Sequence, residues 1–146
     1  MRVVVQRVNS ASVRVDKKEM GKIGLGLLLL VGVAESDSLN DVEFVANKCS
    51  DLRIFQDDEG RMNRSVQEVG EEILAISQFT LLGDTRKGRR PSFIKAARPE
   101  KAEEYYNYFN QILREKGLVV KTGIFGAMMD VELINAGPVT IIVDSK

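Results

Sequence analysis

The chain has 146 residues, 44% of them hydrophobic, which suits one domain over residues 1–146 burying about 70% of its unfolded surface. Charged residues make up 29%, with 21 Lys and Arg against 21 Asp and Glu, so no net field draws the whole molecule to nucleic acid or to a membrane. The absence of histidine excludes Ser-His-Asp and Cys-His catalysis and the usual proton shuttle near neutral pH, and the single cysteine, Cys49, excludes an intramolecular disulfide and a Cys-cluster metal site.

No His-bearing or Cys-cluster metal site is therefore expected, and no cofactor. The opening residues, Met1-Arg2-Val3-Val4-Val5, meet Gln6 and Arg7 before they can form the core of a signal peptide. The most apolar stretch, residues 23–34, is 12 residues long, against the roughly 18 to 20 that cross a bilayer. A cytoplasmic protein without a membrane span is expected.

Residues 3–8 and 11–15 are rich in β-branched side chains, and Ala11, Val13 and Val15 alternate with polar neighbours, which predicts two paired strands. A polar turn at residues 16–19 leads to the apolar strand 25–33, whose lack of alternation predicts cover on both faces and a place in the middle of a sheet. Ser38 and Asp41 have the spacing of a capping box, and Val42, Val45, Ala46, Cys49 and Leu52 behind them recur with helical period. Cys49 on that stripe reads as a small buried hydrophobe.

Residues 53–55, the acidic turn 57–60 and residues 61–63 read as strand, turn and strand. The apolar run 73–76 ends in Ser77-Gln78-Phe79-Thr80, which places hydroxyls and an amide where a strand leaves the core. Pro99 in a first turn, Glu100, Glu103 and Glu104 near it, and Arg114 and Lys116 before Gly117 predict a second helix. Its buried stripe is Ala102, Tyr105, Tyr106, Phe109, Ile112 and Leu113. Strands follow at 119–125, 128–134 and 139–143, with Asn135-Ala136-Gly137-Pro138 as a turn that permits a cis bond. Two main helices among about nine short strands give an α+β domain dominated by antiparallel sheet.

One segment concentrates charge. Arg86, Lys87, Arg89, Arg90, Lys95 and Arg98 stand within 13 residues that contain no acid, broken by Gly88 and Pro91 and hence a loop. Contact with a phosphate backbone is favoured over a merely solvated loop, because a neutral protein has no solubility reason to gather positive charge. Gly24-Leu25-Gly26 precedes an apolar strand instead of opening a helix, so no nucleotide loop is read there.

Gln6-Arg7-Val8, Gly24-Leu25-Gly26-Leu27-Leu28, Arg53-Ile54-Phe55, Met62-Asn63, Ser77-Gln78-Phe79-Thr80-Leu81, Arg90-Pro91-Ser92-Phe93, Thr122-Gly123-Ile124-Phe125-Gly126-Ala127-Met128-Met129 and Asn135-Ala136-Gly137-Pro138-Val139-Thr140 follow one another along the chain. In order and spacing they resemble the D-aminoacyl-tRNA deacylases, from end to end. The resemblance implies that family's fold, with antiparallel sheets forming a barrel-like core, and a homodimer with its active sites at the interface. It implies a tRNA charged with a D-amino acid as substrate, hydrolysed at the ester to the terminal adenosine, and tolerance of glycyl-tRNA. By position, Ser77, Gln78, Phe79 and Thr80 would line the ester. Phe125, Ala127 and Met129 would hold the adenosine, Arg86, Lys87, Arg89 and Arg90 would contact tRNA phosphates, and the partner's Gly137 and Pro138, supported by Arg7, would act as a cis main-chain gate.

Such chemistry can run without histidine, because an aminoacyl ester is already activated, and main-chain donors with accurate positioning supply what is needed. Water attack assisted by the substrate's 2′-hydroxyl is favoured over Thr80 as nucleophile, for which the sequence offers no base. Carbonyls filling the space of an L side chain would reject L-aminoacyl esters and admit D-residues and glycine. Two other readings stay open: an RNA-binding protein without catalysis, resting on the 86–98 loop, and a small-molecule esterase or amidase using Thr80.

Overall fold

The computed structural model describes all 146 residues. Its strands are β1 (Arg2–Val15), β2 (Lys18–Ile23), β3 (Gly26–Gly32), β4 (Phe55–Gln56), β5 (Met62–Arg64), β6 (Glu72–Ser77), β7 (Val120–Thr122) and β8 (Asp130–Asp144). The helices are α1 (Leu39–Asp51), α2 (Val66–Val69) and α3 (Pro99–Glu115), with a 3₁₀ turn at Phe79–Leu82.

Six strands form one sheet in the order β2-β1-β3-β6-β7, with β8 on the free side of β1. β1 runs antiparallel to β2, β3 and β8, whereas β3, β6 and β7 are mutually parallel. Parallel neighbours need crossovers, and α1 and α3 supply them, both against the same face of the sheet. The edges β2 and β7 curl towards each other: Lys121 Nζ donates to the Lys22 carbonyl at 2.8 Å. The result is a nearly closed, barrel-like sheet with helices on one side, an α+β fold.

Two cores follow from this. The larger, of 23 buried residues, joins Val3, Val5, Leu27, Leu29 and Val31 to the inner faces of α1 and α3. The smaller fills the curl with Val8, Ala11, Val13, Ile23, Leu28, Leu74 and Ile76. Successive leucines of β3 thus enter opposite cores, which is why this central strand shows no polar alternation.

β1 departs from the expected pair of strands, being one strand of 14 residues. Val8 lies opposite Asn135 and Ser10 opposite Ile134, so Asn9 is an extra residue that bulges out of the ladder. The bulge shifts the alternation by one, turning Val3 and Val5 to the helical core and Ala11 and Val13 to the barrel core. A phase change without a chain reversal reads in sequence as a break.

β8 is a second correction: the expected turn at Asn135-Ala136-Gly137-Pro138 lies inside one strand of 15 residues. Asn135 faces Val8 and Thr140 faces Gln6, so β8 uses five steps where β1 uses two, and the residues between loop outwards while the strand keeps its direction.

Both expected helices form. The Ser38 backbone N–H and hydroxyl donate to Asp41 Oδ2 at 2.7 and 3.1 Å, holding the Asp41 carboxyl at a pKa of about 2. Cys49 is fully buried on α1, and burial pushes its thiol up to about 12. No helix is long and apolar enough to cross a membrane.

Candidate active site

The parallel strands β3, β6 and β7 end on one side of the sheet, at Gly32, Ser77 and Thr122, with Val31 paired to Ser77 and Ala75 to Thr122. The carboxyl ends of parallel strands are where side chains and loops are free to meet a ligand. Both Ser77-Gln78-Phe79-Thr80 and the segment 123–129 leave the sheet there.

Ser77 is the last residue of β6, and the Gln78 backbone N–H still donates to the Val31 carbonyl at 2.8 Å. The chain then tightens into the 3₁₀ turn, closed by Leu81 N–H to the Gln78 carbonyl at 3.2 Å and Gly83 N–H to the Thr80 carbonyl at 3.0 Å. The backbone N–H groups of Phe79 and Thr80 make no hydrogen bond within the chain. They are two adjacent main-chain donors with capacity to spare at an exposed rim. The Gln78 amide Nε2 donates to Thr80 Oγ1. No carboxylate, amine or other base touches that hydroxyl.

Phe79 is exposed and packs edge-on against Phe93, ring centroids 5.3 Å apart. That contact ties the rim to the cationic loop. Asp84 and Ser92 exchange backbone hydrogen bonds at 2.8 and 2.9 Å, closing the base of the loop directly after the 3₁₀ turn. Lys87, Arg89 and Arg90 are exposed and form no ion pair in the chain. Arg86 differs: its Nη2 lies 2.6 Å from Asp84 Oδ2, and this pairing holds the Asp84 carboxyl well below the usual carboxylate range.

On the other side of the rim, Phe125 is half-buried against the helical core with its ring 6.1 Å from that of Tyr106 on α3. Tyr106 is itself fixed by its hydroxyl, which donates to the Ala75 carbonyl at 2.7 Å. Ala127 N–H donates to the Ile124 carbonyl at 3.2 Å in a turn, and Met129 packs on the barrel core beside Gly123 and Val13. The three expected adenosine residues therefore frame one loop, pinned to a different core at each end.

Gly137 and Pro138 stand elsewhere. Their peptide bond is cis, both residues are exposed, and they project from the interruption in β8. Arg7 Nε donates to the Ala136 carbonyl at 3.1 Å and its Nη1 to the Ile54 carbonyl at 2.6 Å. Arg7 pairs with Leu27 and Leu27 with Ile73, so the gate residues lie four residues back from Ser77 and three strands across. At 3.3 Å per residue and 4.8 Å per strand this separates them from Ser77 by about 20 Å along the sheet. One chain does not bring the two halves together.

Three contacts lay beyond sequence reasoning: the Gln78–Thr80 pair, the Asp84–Ser92 latch and the Asn135 side chain, which accepts from Val139 N–H and donates to Thr140 Oγ1, each at 2.9 Å. Only the last had a signal, since asparagine two residues before Gly-Pro favours a side-chain turn.

The rim thus holds two main-chain donors without partners, beside a hydroxyl that no base touches. The family model described as D-Tyr-tRNA(Tyr) deacylase matches residues 4–144. A D-aminoacyl-tRNA deacylase of Brevibacillus brevis is 61% identical over 145 residues, 99% of this chain and 100% of the relative. One from Shouchella clausii is 60% identical over the full length of both. A solved structure described as c-Myc DNA Unwinding Element Binding Protein superposes with TM-score 0.94 at 41% identity, covering 100% of this chain and 99% of that one. Another, described as a probable eukaryotic D-amino acid tRNA deacylase, shares the fold with TM-score 0.84 at 18% identity over 98% of each chain. The chain belongs to the D-Tyr-tRNA(Tyr) deacylase family.

Proposed function

We propose that the chain hydrolyses the ester between a D-amino acid and the terminal adenosine of tRNA, as a homodimer in which each site is completed by the partner's gate. The observation that carries this reading is the separation within one chain. The unpaired N–H groups of Phe79 and Thr80 and the exposed Gly137-Pro138 element lie about 20 Å apart along the sheet, beyond reach of a common ester. A two-fold axis midway between them brings one chain's gate to the other chain's rim, twice. The open outer edge of β8, with Ile134 and Ile142 each more than half exposed, supports association on this side.

In the reaction, water attacks the ester carbonyl and the tetrahedral oxyanion takes hydrogen bonds from Phe79 and Thr80 N–H. Each such donor contributes about 3 to 4 kcal/mol of transition-state stabilisation. The bond between the acyl carbon and the ribose oxygen breaks, and the proton given up by the attacking water passes through the neighbouring 2′-hydroxyl to that leaving oxygen, releasing the amino acid and tRNA. Thr80 is not the nucleophile: its only partner is the Gln78 amide, which cannot accept a proton at neutral pH. Phe125, Ala127 and Met129 hold the terminal adenosine, Lys87, Arg89 and Arg90 reach phosphates, and no cofactor takes part.

Chirality is read by main chain. Carbonyls of the partner's gate occupy the volume an L side chain would enter, so D-residues of any kind pass, and glycine passes with them. The protein thereby clears misacylated tRNA in the cytoplasm. Single-turnover hydrolysis of D-Tyr-tRNA against L-Tyr-tRNA, with sedimentation on the same sample, tests the reading. Equal rates for the two enantiomers, or an active monomer, would refute it.

A further inference from the structure

A ladder that skips its register by three residues has to be held by something other than the ladder. Between Asn135 and Thr140 the backbone of β8 leaves β1, and the four residues 136–139 lose their strand pairing. Two side chains take over. Arg7 holds the loop from beneath through the Ala136 carbonyl, 3.1 Å away.

Asn135 closes the neck. Its Oδ1 accepts the Val139 backbone N–H at 2.9 Å, and its Nδ2 donates to Thr140 Oγ1 at 2.9 Å. A single planar amide thus spans the open base of the loop and fixes the far side of the Gly-Pro unit. No side chain hydrogen-bonds to Gly137 or Pro138 themselves.

We propose that Asn135 is a positioning residue for enantiomer selection: by clamping the loop's neck it sets where the gate carbonyls stand in the partner's site. The inference rests on the dimeric reading above. The Asn135 side chain hydrogen-bonds only at the loop's neck, to Val139 N–H and Thr140 Oγ1, so in the proposed dimer its effect reaches the reaction through the gate. A merely structural asparagine would change stability, or scale both enantiomers' rates together. A positioning residue changes their ratio.

The chemistry of the clamp separates the variants. In Asn135→Asp one carboxylate oxygen still accepts from Val139 N–H, and the other accepts from the Thr140 hydroxyl, which turns from acceptor to donor. In Asn135→Leu both bonds are lost at similar volume. Thr140→Val removes one bond only. The full-length proteins are compared for kcat/KM on D-Tyr-tRNA and L-Tyr-tRNA, with melting temperature as the control.

Asn135→Leu is expected to lower the D-over-L ratio by about tenfold or more, the scale of a lost hydrogen bond. Asn135→Asp should stay within about twofold of wild type, and Thr140→Val should fall between them. A folded Asn135→Leu with the wild-type ratio, or an Asp variant as impaired as Leu, overturns the proposal. Should Asn135→Leu fail to fold, Thr140→Val decides: a lowered ratio supports the clamp and an unchanged one overturns it. A wild-type chain that fails to discriminate refutes the reading of the site itself, and the clamp with it.

Discussion

Gly137→Ala puts the gate under the most direct test. Gly137 has φ +128°, a conformation that L side chains rarely adopt, and occupying it costs about 1 to 3 kcal/mol. Space is short as well: a Cβ there would lie 2.9 Å from Val139 Cγ2, 2.9 Å from Arg7 Nη2 and 3.2 Å from the Val139 nitrogen. Neither side chain yields easily. Arg7 is bonded to the Ala136 and Ile54 carbonyls, and Val139 is β-branched and packs on the helical core. Crowding of this kind adds about 1 to 3 kcal/mol, so the total is about 2 to 6 kcal/mol if the loop stays in place.

Gly60→Ala is the matched control. Its φ is +77° and a Cβ would meet nothing within 4 Å, which leaves only the backbone penalty, about 1 kcal/mol. At roughly 3 °C per kcal/mol for a chain of this size, the control should melt about 3 °C lower and Gly137→Ala about 6 to 18 °C lower, both at fixed protein concentration. If the exposed loop instead shifts to relieve the contact, melting recovers and the strain appears in selectivity. Either way the D-over-L rate ratio and the melting temperature cannot both match those of Gly60→Ala. A Gly137→Ala protein equal to the control in both would show that the close approach to Arg7 and Val139 sets nothing.

Replacing Lys87, Arg89 and Arg90 by Gln should lower the slope of log affinity for tRNA against log salt by about 2, whereas Arg86→Gln alone should barely change it, because Arg86 is engaged by Asp84. An unchanged slope in the triple variant would count these cations as solvated surface. Thr80→Ala should retain substantial deacylation, and a loss of about six orders of magnitude in kcat, the scale of a deleted covalent nucleophile, would overturn water attack. Asp41 has a folded pKa of about 2, held down first by the Ser38 backbone N–H, so it contributes stability above its unfolded value near pH 4 and loses it as pH falls towards 2. Asp41→Asn should flatten the fall in urea midpoint across that window, and an identical acid limb in both proteins would refute the assignment.

The helices were legible in the sequence because their signals are local. Ser38 with Asp41, and Pro99 ahead of a periodic apolar stripe, mark helix starts that tertiary packing had no reason to override. The long strands were less so. In β1 the break in alternation at Asn9 is visible, but a bulge and a turn leave the same trace in one dimension. In β8, Asn-Ala-Gly-Pro has turn chemistry, and only the pairing of both flanks with the same strand shows that the chain does not reverse. The four-residue helix α2 and the 3₁₀ turn at Phe79 are too short to carry a period. At the site, the types and positions of the residues could be read, but their linkages could not. Arg7 meets Ala136 across 129 residues of sequence, and no local pattern encodes such a contact.

Rejecting one enantiomer by sterics places a demand on stiffness. An L and a D side chain differ only in direction from the same carbon, so a gate that wanders by an ångström admits both, and useful constellations are held to within about 0.5 Å. A free loop on the rim of its own site is poorly suited, since surface loops are the mobile parts of a fold. The Gly-Pro element is instead rooted in a 15-residue strand, paired on both flanks, and tied by Arg7 below and Asn135 across the neck. Such a rooted element cannot bend round to the carboxyl ends of its own parallel strands, about 20 Å away. In the proposed dimer a second copy would deliver it without bending, so the proposed dependence on a partner would follow from the stiffness that chiral selection demands of such a gate.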